Sequence, residues 1–286
     1  SELTATQVAA MTTTQVKALD TTTFGSLTET QIGALTATQV QAISATNITE
    51  LTETQVGALT TTQARAFTAT QLRALSDTTL AALDATQFGA FDATQIKGFT
   101  VTQIGALDAT NVAEFATTQL AALATTQVSA LEAASLADLT ATQVAAFNAT
   151  QLGRLSTTAV NALDATQLGA LNATQIAGFT TTQIAALEAT DMGELTTTQV
   201  AALTRVQIEA LTGTALGGLA DTQVAALTTT QIQSLSATNL SALDANQAGA
   251  LTATQIAALR TTQVAGLNAT DIAELSTTQV AAFTTT

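Results

Sequence analysis

The chain contains no Cys, His, Pro, Trp or Tyr, and it has only seven basic residues against 21 acidic ones. Without Cys there is no disulfide framework and no thiolate nucleophile. Without His the commonest general base and metal ligand is missing. The formal net charge of -14 provides no basic surface for phosphate backbones. The sequence therefore argues against an enzyme and against a nucleic-acid partner.

Long apolar runs are also missing, although 47% of the residues are hydrophobic and only 10% are charged. That balance is not typical of intrinsically disordered chains, which combine low hydrophobicity with high net charge. No uninterrupted apolar stretch approaches the length that a membrane-spanning helix needs, about 20 residues. We expect a folded chain without a membrane span.

An eight-residue repeat occupies the whole sequence. Every eighth residue from Leu3 to Phe283, 36 sites in all, is Leu, Ile, Met or Phe, and an apolar series with the same period runs from Val8 to Val280. The consensus octad is Thr-x-Thr-Gln-Val-x-Ala-Leu. No insertion or deletion shifts its phase, so we predict one continuous repeat domain over residues 1–286.

Each octad has the signals of a short capped helix. A continuous helix cannot keep an eight-residue stripe on one face, because supercoils absorb periods near 3.5 or 3.67 residues per turn, not 4.0. Thr4 and Gln7 form a capping box, and Leu3 and Val8 are placed as its hydrophobic staple. The cap position holds Thr, Ser, Asp or Asn at 30 of 36 sites. The chain is thus predicted to start a new helix every eight residues.

The charges fit the same register. Fourteen of the 21 acidic residues fall between the cap and the Gln position, and five of the seven basic residues fall near the other end of the octad. This is the distribution that a helix dipole favours, at about 0.3–1 kcal/mol per charge.

The predicted fold is all-α, a solenoid of short capped helices with Leu and Val packed inward, because one such helix is too short to be stable alone. A β-solenoid is the alternative, since Thr and Val favour strands. However, Leu and Val lie an odd number of residues apart, so a regular strand would send them to opposite faces. The repeat also supplies no regular Gly, Asn or Pro for β corners.

A second period appears where octads lack the Gln. These ten octads carry Thr23, Asn47, Thr79, Asn111, Ser135, Ala159, Asp191, Ala215, Asn239 and Asp271 instead. Of the nine intervals between them, five are three octads long and four are four octads long, so the mean is about 3.4 octads. We infer about 3.4 octads per superhelical turn, which aligns these octads as one line along the superhelix. We call this line the Gln-less stripe, and we expect it to face solvent or make lateral contacts.

Paired carboxylates on this stripe are the candidate metal site. Asp191 with Glu194 and Asp271 with Glu274 could form a Ca²⁺-binding ladder, because Ca²⁺ takes 6–8 oxygen ligands. A solvated acidic stripe is the simpler interpretation, since no EF-hand-like motif is present. The regular Thr-x-Thr pairs could form an ice-binding array, but helix capping is the simpler explanation, and the rotation between octads prevents a flat plane of Thr. No cofactor is predicted.

The segment Leu251–Leu259 resembles the Leu-Thr-x-x-Gln octapeptide tracts of large secreted bacterial surface proteins. The resemblance implies an extracellular or cell-surface structural region without catalytic residues. We expect a filament subunit or a rod-like stalk that associates with itself through its ends or through the Gln-less stripe. A module that binds Ca²⁺, a glycan or ice on a repeat scaffold is the alternative.

Overall fold

The computed structural model describes residues 3–283, and over these residues the chain is all-helical with no strand. Each octad forms one helix of four to six residues. The predicted helical repeat is confirmed, and the β-solenoid alternative is wrong because the chain re-caps a helix in every octad.

By its contacts the chain divides into two compact units, Ser1–Phe147 and Asn148–Thr286. The first unit contains α1 (Ala5–Ala9), α2 (Thr13–Ala18), α3 (Thr21–Gly25), α4 (Glu29–Gly33), α5 (Ala37–Ala42), α6 (Ala45–Ile48), α7 (Glu53–Gly57), α8 (Thr61–Ala66), α9 (Ala69–Ala74), α10 (Asp77–Ala81), α11 (Ala85–Gly89), α12 (Ala93–Gly98), α13 (Val101–Gly105), α14 (Ala109–Ala113), α15 (Thr117–Ala122), α16 (Thr125–Val128), α17 (Ala133–Ala137) and α18 (Ala141–Val144).

The second unit contains α19 (Ala149–Leu152), α20 (Thr157–Val160), α21 (Ala165–Gly169), α22 (Ala173–Ala177), α23 (Thr181–Ala186), α24 (Ala189–Glu194), α25 (Thr197–Ala202), α26 (Arg205–Ala210), α27 (Gly213–Gly217), α28 (Asp221–Ala226), α29 (Thr229–Ser234), α30 (Ala237–Ser241), α31 (Ala245–Ala250), α32 (Ala253–Ala257), α33 (Thr261–Val264), α34 (Ala269–Ala273) and α35 (Thr277–Ala281).

The link between helices is an extended Leu-Thr pair. The cap residue Thr36, which precedes α5, has φ -73° and ψ 159°. The residue that follows α5, Ile43, has φ -60° and ψ 132°. Both are extended. Among the described residues none has a positive φ. The chain therefore changes direction without a left-handed residue, which is why the octad needs neither a regular Gly nor a Pro.

Leu-type and Val-type residues form the interior of each unit. From Leu27 to Leu251 and from Val8 to Ile256 the side chains of these two series are buried. In the first unit the largest members of the series pack edge to face. The ring centroid of Phe88 lies 6.0 Å from that of Phe91 and 5.6 Å from that of Phe115, and the centroids of Phe91 and Phe99 are 5.7 Å apart. Such pairs add about 0.5–1.5 kcal/mol beyond the burial of their area.

Within each unit a helix packs against the helix three octads further along the chain, as α9 packs against α12 and α23 against α26. The approach is closest at the seventh octad position, where Gly98 lies so near Ala69 that a Cβ built on the glycine would be 2.6 Å from the Ala69 Cβ. Side-chain hydrogen bonds described below reach the helix four octads back. A superhelical turn thus holds between three and four helices, in agreement with the spacing of the Gln-less octads.

The cap exceptions offer a stability test. Ala124 precedes α16 and its side chain makes no cap hydrogen bond, whereas Thr140 Oγ1 accepts from Gln143 N at 3.3 Å at the start of α18. We expect Ala124→Thr to stabilise the protein by about 1 kcal/mol and Thr140→Ala to destabilise it by a similar amount, the usual value of an N-cap. Urea unfolding followed by circular dichroism measures both, and two neutral variants would contradict the capping account.

Candidate functional site: the glutamine ladder and the Gln-less stripe

The glutamine of each octad first completes the capping box. In α9 the Thr68 Oγ1 accepts from Gln71 N at 3.2 Å, and Gln71 Oε1 accepts from Thr68 N at 2.8 Å. The two donors, Gln71 N and Thr68 N, are backbone N–H groups for which the first helical turn provides no intrahelical acceptor. The predicted box is therefore present, and it uses the oxygen of the glutamine amide.

The nitrogen of the same amide has a second partner on another helix. Gln71 Nε2 donates to Val40 O at 2.7 Å and to Ile43 O at 2.9 Å, at the carboxyl end of α5. Val40 O also accepts from Ile43 N at 3.2 Å, whereas Ile43 follows the last residue of α5, where intrahelical donors run out. One buried side chain thus joins the start of α9 to the end of α5, four octads earlier.

This arrangement repeats along both units, and we call it the glutamine ladder. The amide Nε2 donates to the carbonyl 28 residues earlier at 2.5–2.9 Å from Gln39, Gln55, Gln63, Gln71, Gln87, Gln95, Gln103, Gln119, Gln127, Gln143, Gln183, Gln199, Gln207, Gln223, Gln231, Gln247, Gln255, Gln263 and Gln279. Gln31 makes the same bond to Leu3 O.

The ladder explains why the octad uses glutamine and never glutamate at this position. A capping box accepts either residue, yet none of the 35 sites holds Glu. A carboxylate could accept from the cap N–H but could not donate to the carbonyls of the preceding turn. The requirement for both a donor and an acceptor on one short amide selects Gln.

Residues at the sixth octad position, of which Arg65 is exposed and Asn161 and Gln233 are half-buried, join the turns in the other direction. Arg65 donates to Ala90 O at 3.3 Å, Asn161 donates to Ala186 O at 2.8 Å, and Gln233 donates to Ala258 O at 2.9 Å. Each acceptor lies at the end of the helix three octads later. The sequence correctly places Arg65 on the surface, but it does not reveal this second set of cross-turn bonds.

The Gln-less octads lie beside one another within each unit, as their spacing predicts. Glu50 Cβ packs 3.5 Å from the site of a Cβ on Gly25, and Thr79 Oγ1 donates to Leu51 O at 3.3 Å. In the second unit Ser241 Oγ donates to Asp271 Oδ2 at 2.6 Å. Every one of these contacts joins two octads that lack the Gln.

The residues that replace Gln on the stripe are mostly buried, as are most of the glutamines in the other octads. The buried residues are Asn47, Thr79, Asn111, Ser135, Ala159 and Ala215. Asn47 and Asn239 still reach the carbonyl 28 residues earlier, at 2.9 Å and 2.8 Å. Because the shorter Asn side chain reaches the same acceptor position, the turns approach each other more closely at these two sites.

A family model described as the ALTTAQ repeat matches residues 144–181. The match covers part of the second unit together with the last residues of the first, and it establishes similarity to a repeat family for that segment. There the Ala170-Leu171 pair is followed by Gln175, the same spacing as Ala, Leu and Gln in the name of the repeat. No curated protein matches the chain.

Of the four carboxylates that the sequence suggests for Ca²⁺, Asp191 and Asp271 serve helix caps. Asp191 Oδ2 accepts from Glu188 N at 2.8 Å, and Asp271 Oδ2 accepts from Asn268 N at 2.8 Å, so both take over the acceptor role of the glutamine oxygen. The Ser241 hydroxyl holds the pKa of Asp271 below its usual range, with help from Asn268. Glu194 is exposed and Glu274 is half-buried.

Over residues 3–283 the structure contains no group of three or more His, Cys, Asp or Glu side chains placed to hold a metal ion. In the same part of the chain no helix is long and apolar enough to cross a membrane. Ca²⁺ binding by Asp191, Glu194, Asp271 and Glu274 stays a prediction.

Glu114 is the one stripe carboxylate in an unfavourable setting. Its Oε2 is buried without a hydrogen-bond partner. Burial raises the pKa of the Glu114 carboxyl, and repulsion from Asp84 and Asp108 raises it further. Most octads have Ala at this position. A raised folded-state pKa means that the stability from this group is present at low pH and lost as the pH rises through that pKa.

We therefore expect Glu114→Ala to raise the melting temperature at pH 7. This increase in melting temperature should become smaller as the pH falls below the ordinary pKa range of a Glu carboxyl. Asp138→Ala, at the same octad position but exposed, is the matched control and should show a smaller gain at pH 7. Melting curves between pH 3 and pH 8 test this expectation. A gain for Glu114→Ala that does not depend on pH would contradict it.

Proposed function

We propose that the chain is a non-enzymatic structural protein of the bacterial cell exterior, either a filament subunit or a rod-like stalk. The observation that carries the proposal is the glutamine ladder. The ladder joins each turn to the previous one through bonds to backbone carbonyls. These bonds therefore do not depend on which side chains occupy the variable positions. A fold stabilised in this way propagates with length.

The composition supports an extracellular location. The chain has no Cys to oxidise, a net charge of -14 and Thr, Ser, Asp or Asn at 30 of its 36 cap positions. The octapeptide resemblance points to the same setting. The similarity to the ALTTAQ repeat supports the repeat architecture of residues 144–181 and is neutral on location.

Negative-stain electron microscopy of the purified chain, over a range of concentrations, tests the proposal. Regular fibres that grow with concentration are the expected result for a filament subunit. Separate short rods at every concentration would support the stalk and would exclude self-assembly of the chain. Globular particles without an elongated form would contradict both.

The binding-module alternative has its own measurement. A Ca²⁺ titration that leaves the melting temperature unchanged would exclude Ca²⁺ binding as the function of the module. A rise with Ca²⁺ that is lost on Asp271→Asn would favour it over a purely structural role.

A further inference from the structure

The charged side chains are unevenly distributed among the octads, each counted from its cap residue to its Leu-type residue. Twelve of the 21 acidic residues lie in the ten Gln-less octads, and six more lie in an octad that directly follows one. None of the seven basic residues lies in either group. Within each unit the acidic residues therefore gather on the side of the superhelix that carries the Gln-less stripe and the octads next to it.

The basic residues follow a line of their own. Five of the seven lie in the octad directly before a Gln-less octad, and a sixth, Lys97, lies two octads before one. These six recur in the sequence at intervals of seven or three octads, which correspond to two turns or one turn of about 3.4 octads. We call them the basic line: Lys17, Arg73, Lys97, Arg154, Arg205 and Arg260.

The structure leaves the basic line exposed and almost unpaired. In the first unit Arg73 lies beside Lys97, because α9 packs against α12 and Arg73 Nε donates to Gly98 O at 3.4 Å. All six side chains of the line are exposed. Over residues 3–283 the only ion pair joins Arg205 to Glu209, at 2.7 Å. The other five cations have no carboxylate partner in that part of the chain, although acidic residues outnumber basic ones 21 to seven.

Folding does not account for this separation of the charges. The helix dipole favours a charge at one end of a helix, but it does not determine which octads carry acidic or basic residues. Mixed signs on neighbouring octads would allow ion pairs within the chain, each stabilising by about 0–1 kcal/mol. A chain that keeps its cations away from its carboxylates leaves both available to another molecule.

We propose that the basic line of one copy of this chain binds the Gln-less stripe of a second copy that lies beside it. A second copy matches because the two lines have the same period in the sequence: Lys17 and Arg260 lie 31 octads apart, and so do Thr23 and Asp271. The lines lie on different sides of the superhelix, so the contact is heterologous and continues from copy to copy. The inference rests on the proposed self-assembly and assigns its contact to these two lines.

Repulsion between the copies restricts the orientation of the contact. Each copy has a net charge of -14, so two copies repel each other unless opposite charges face. At about 0.15 M salt the Debye length is about 8 Å, so carboxylates on the far sides are largely screened while charges in contact are screened less. Charge complementarity therefore selects one relative orientation of the two copies.

The test reverses each line separately in the full chain, with two double variants in the first unit. Lys17→Glu with Lys97→Glu reverses the basic line, and Glu50→Lys with Asp138→Lys reverses the stripe. All four side chains are exposed, and none of them makes a hydrogen bond to the described residues, so both variants should keep the fold. Association is measured by sedimentation velocity across a concentration series, and electron microscopy shows whether the copies lie side by side.

The net charge provides the control. The first double variant makes the chain four charges more negative, and the second makes it four charges less negative. Repulsion between whole chains would weaken association of the first variant and strengthen association of the second, whereas pairing of the two lines predicts that both variants associate less.

We expect the wild-type chain to associate side by side at about 0.1 M salt and less at about 1 M. Each double variant alone should need at least about tenfold higher concentration, since attractive pairs become repulsive ones. An equimolar mixture of the two variants should regain wild-type association, because each reversed line then meets its opposite charge.

Three results would overturn the assigned contact and leave the proposed self-assembly standing: equal association of all three chains, stronger association of the stripe-reversed chain, or a mixture that does not recover. A wild-type chain that stays monomeric throughout would overturn both the contact and the self-assembly.

Discussion

Gln71→Glu is expected to lower the free energy of unfolding by about 3–5 kcal/mol. The substitution keeps the acceptor for Thr68 N but removes the donor to Val40 O and Ile43 O. The Ile43 carbonyl is then left without a donor, at about 1–3 kcal/mol, the Val40 carbonyl keeps the Ile43 N–H at 3.2 Å, and a carboxylate lies against both. Gln71 is only 3% exposed, so water cannot replace the lost donor.

Gln15→Glu is the matched control, because Gln15 occupies the same octad position and makes the same capping box without a ladder bond. In a dilute, unassembled sample we expect Gln15→Glu to change the free energy of unfolding by no more than about 0.5 kcal/mol, because a negative charge near a helix N-terminus is stabilising. Urea unfolding followed by circular dichroism measures both. Equal losses for the two variants would show that the capping box, and not the ladder, holds the turns together.

Phe88→Ala is expected to cost about 3–5 kcal/mol, the usual range for removing a fully buried phenyl ring. Phe88 makes edge-to-face contacts with Phe91, its own-octad neighbour, and with Phe115, which lies about one superhelical turn later. The cavity would therefore weaken packing both within a turn and between turns.

Val206→Ala is the control for the phenylalanine, since Val206 is 56% exposed at a position where nearly all octads have Thr. We expect it to change stability by less than about 0.5 kcal/mol. Denaturant unfolding gives both values. A loss below about 1 kcal/mol for Phe88→Ala would mean that the octads do not share one packed interior.

The sequence was sufficient for the local structure because each octad carries its own signals. Thr36 and Gln39 fix where α5 starts, and the apolar Ile43 marks where the chain leaves it. The charge pattern and the unbroken phase point to the same boundaries. The spacing of the Gln-less octads also indicated a turn of three to four helices, since aligned exceptions report the superhelical period.

The ladder could not be predicted from one octad, because its acceptor lies on a much earlier helix and depends on how the helices wind. One signal was available in Gln71 and its equivalents: a capping box tolerates Glu, and the strict use of Gln indicated that the amide nitrogen has a partner. The burial of the stripe residues was missed for a related reason. Asn47 and Thr79 look like surface residues until the preceding turn covers them.

The use of amides also bears on the conditions in which the protein works. Gln does not titrate, so the ladder bonds keep their strength across the pH range in which carboxylates gain protons. A structural role outside the cell is compatible with bonds of this kind.

Side-chain amide hydrogen exchange tests the ladder most directly. In a sample labelled with ¹⁵N at the glutamine side chains, we expect the Nε2 protons of ladder residues such as Gln71 and Gln231 to exchange slowly. Those of Gln7, Gln15 and Gln41, in a dilute unassembled sample, should exchange as fast as free glutamine. If all glutamine side chains exchange at the same fast rate, the amides do not bridge the turns and the account of this fold is wrong.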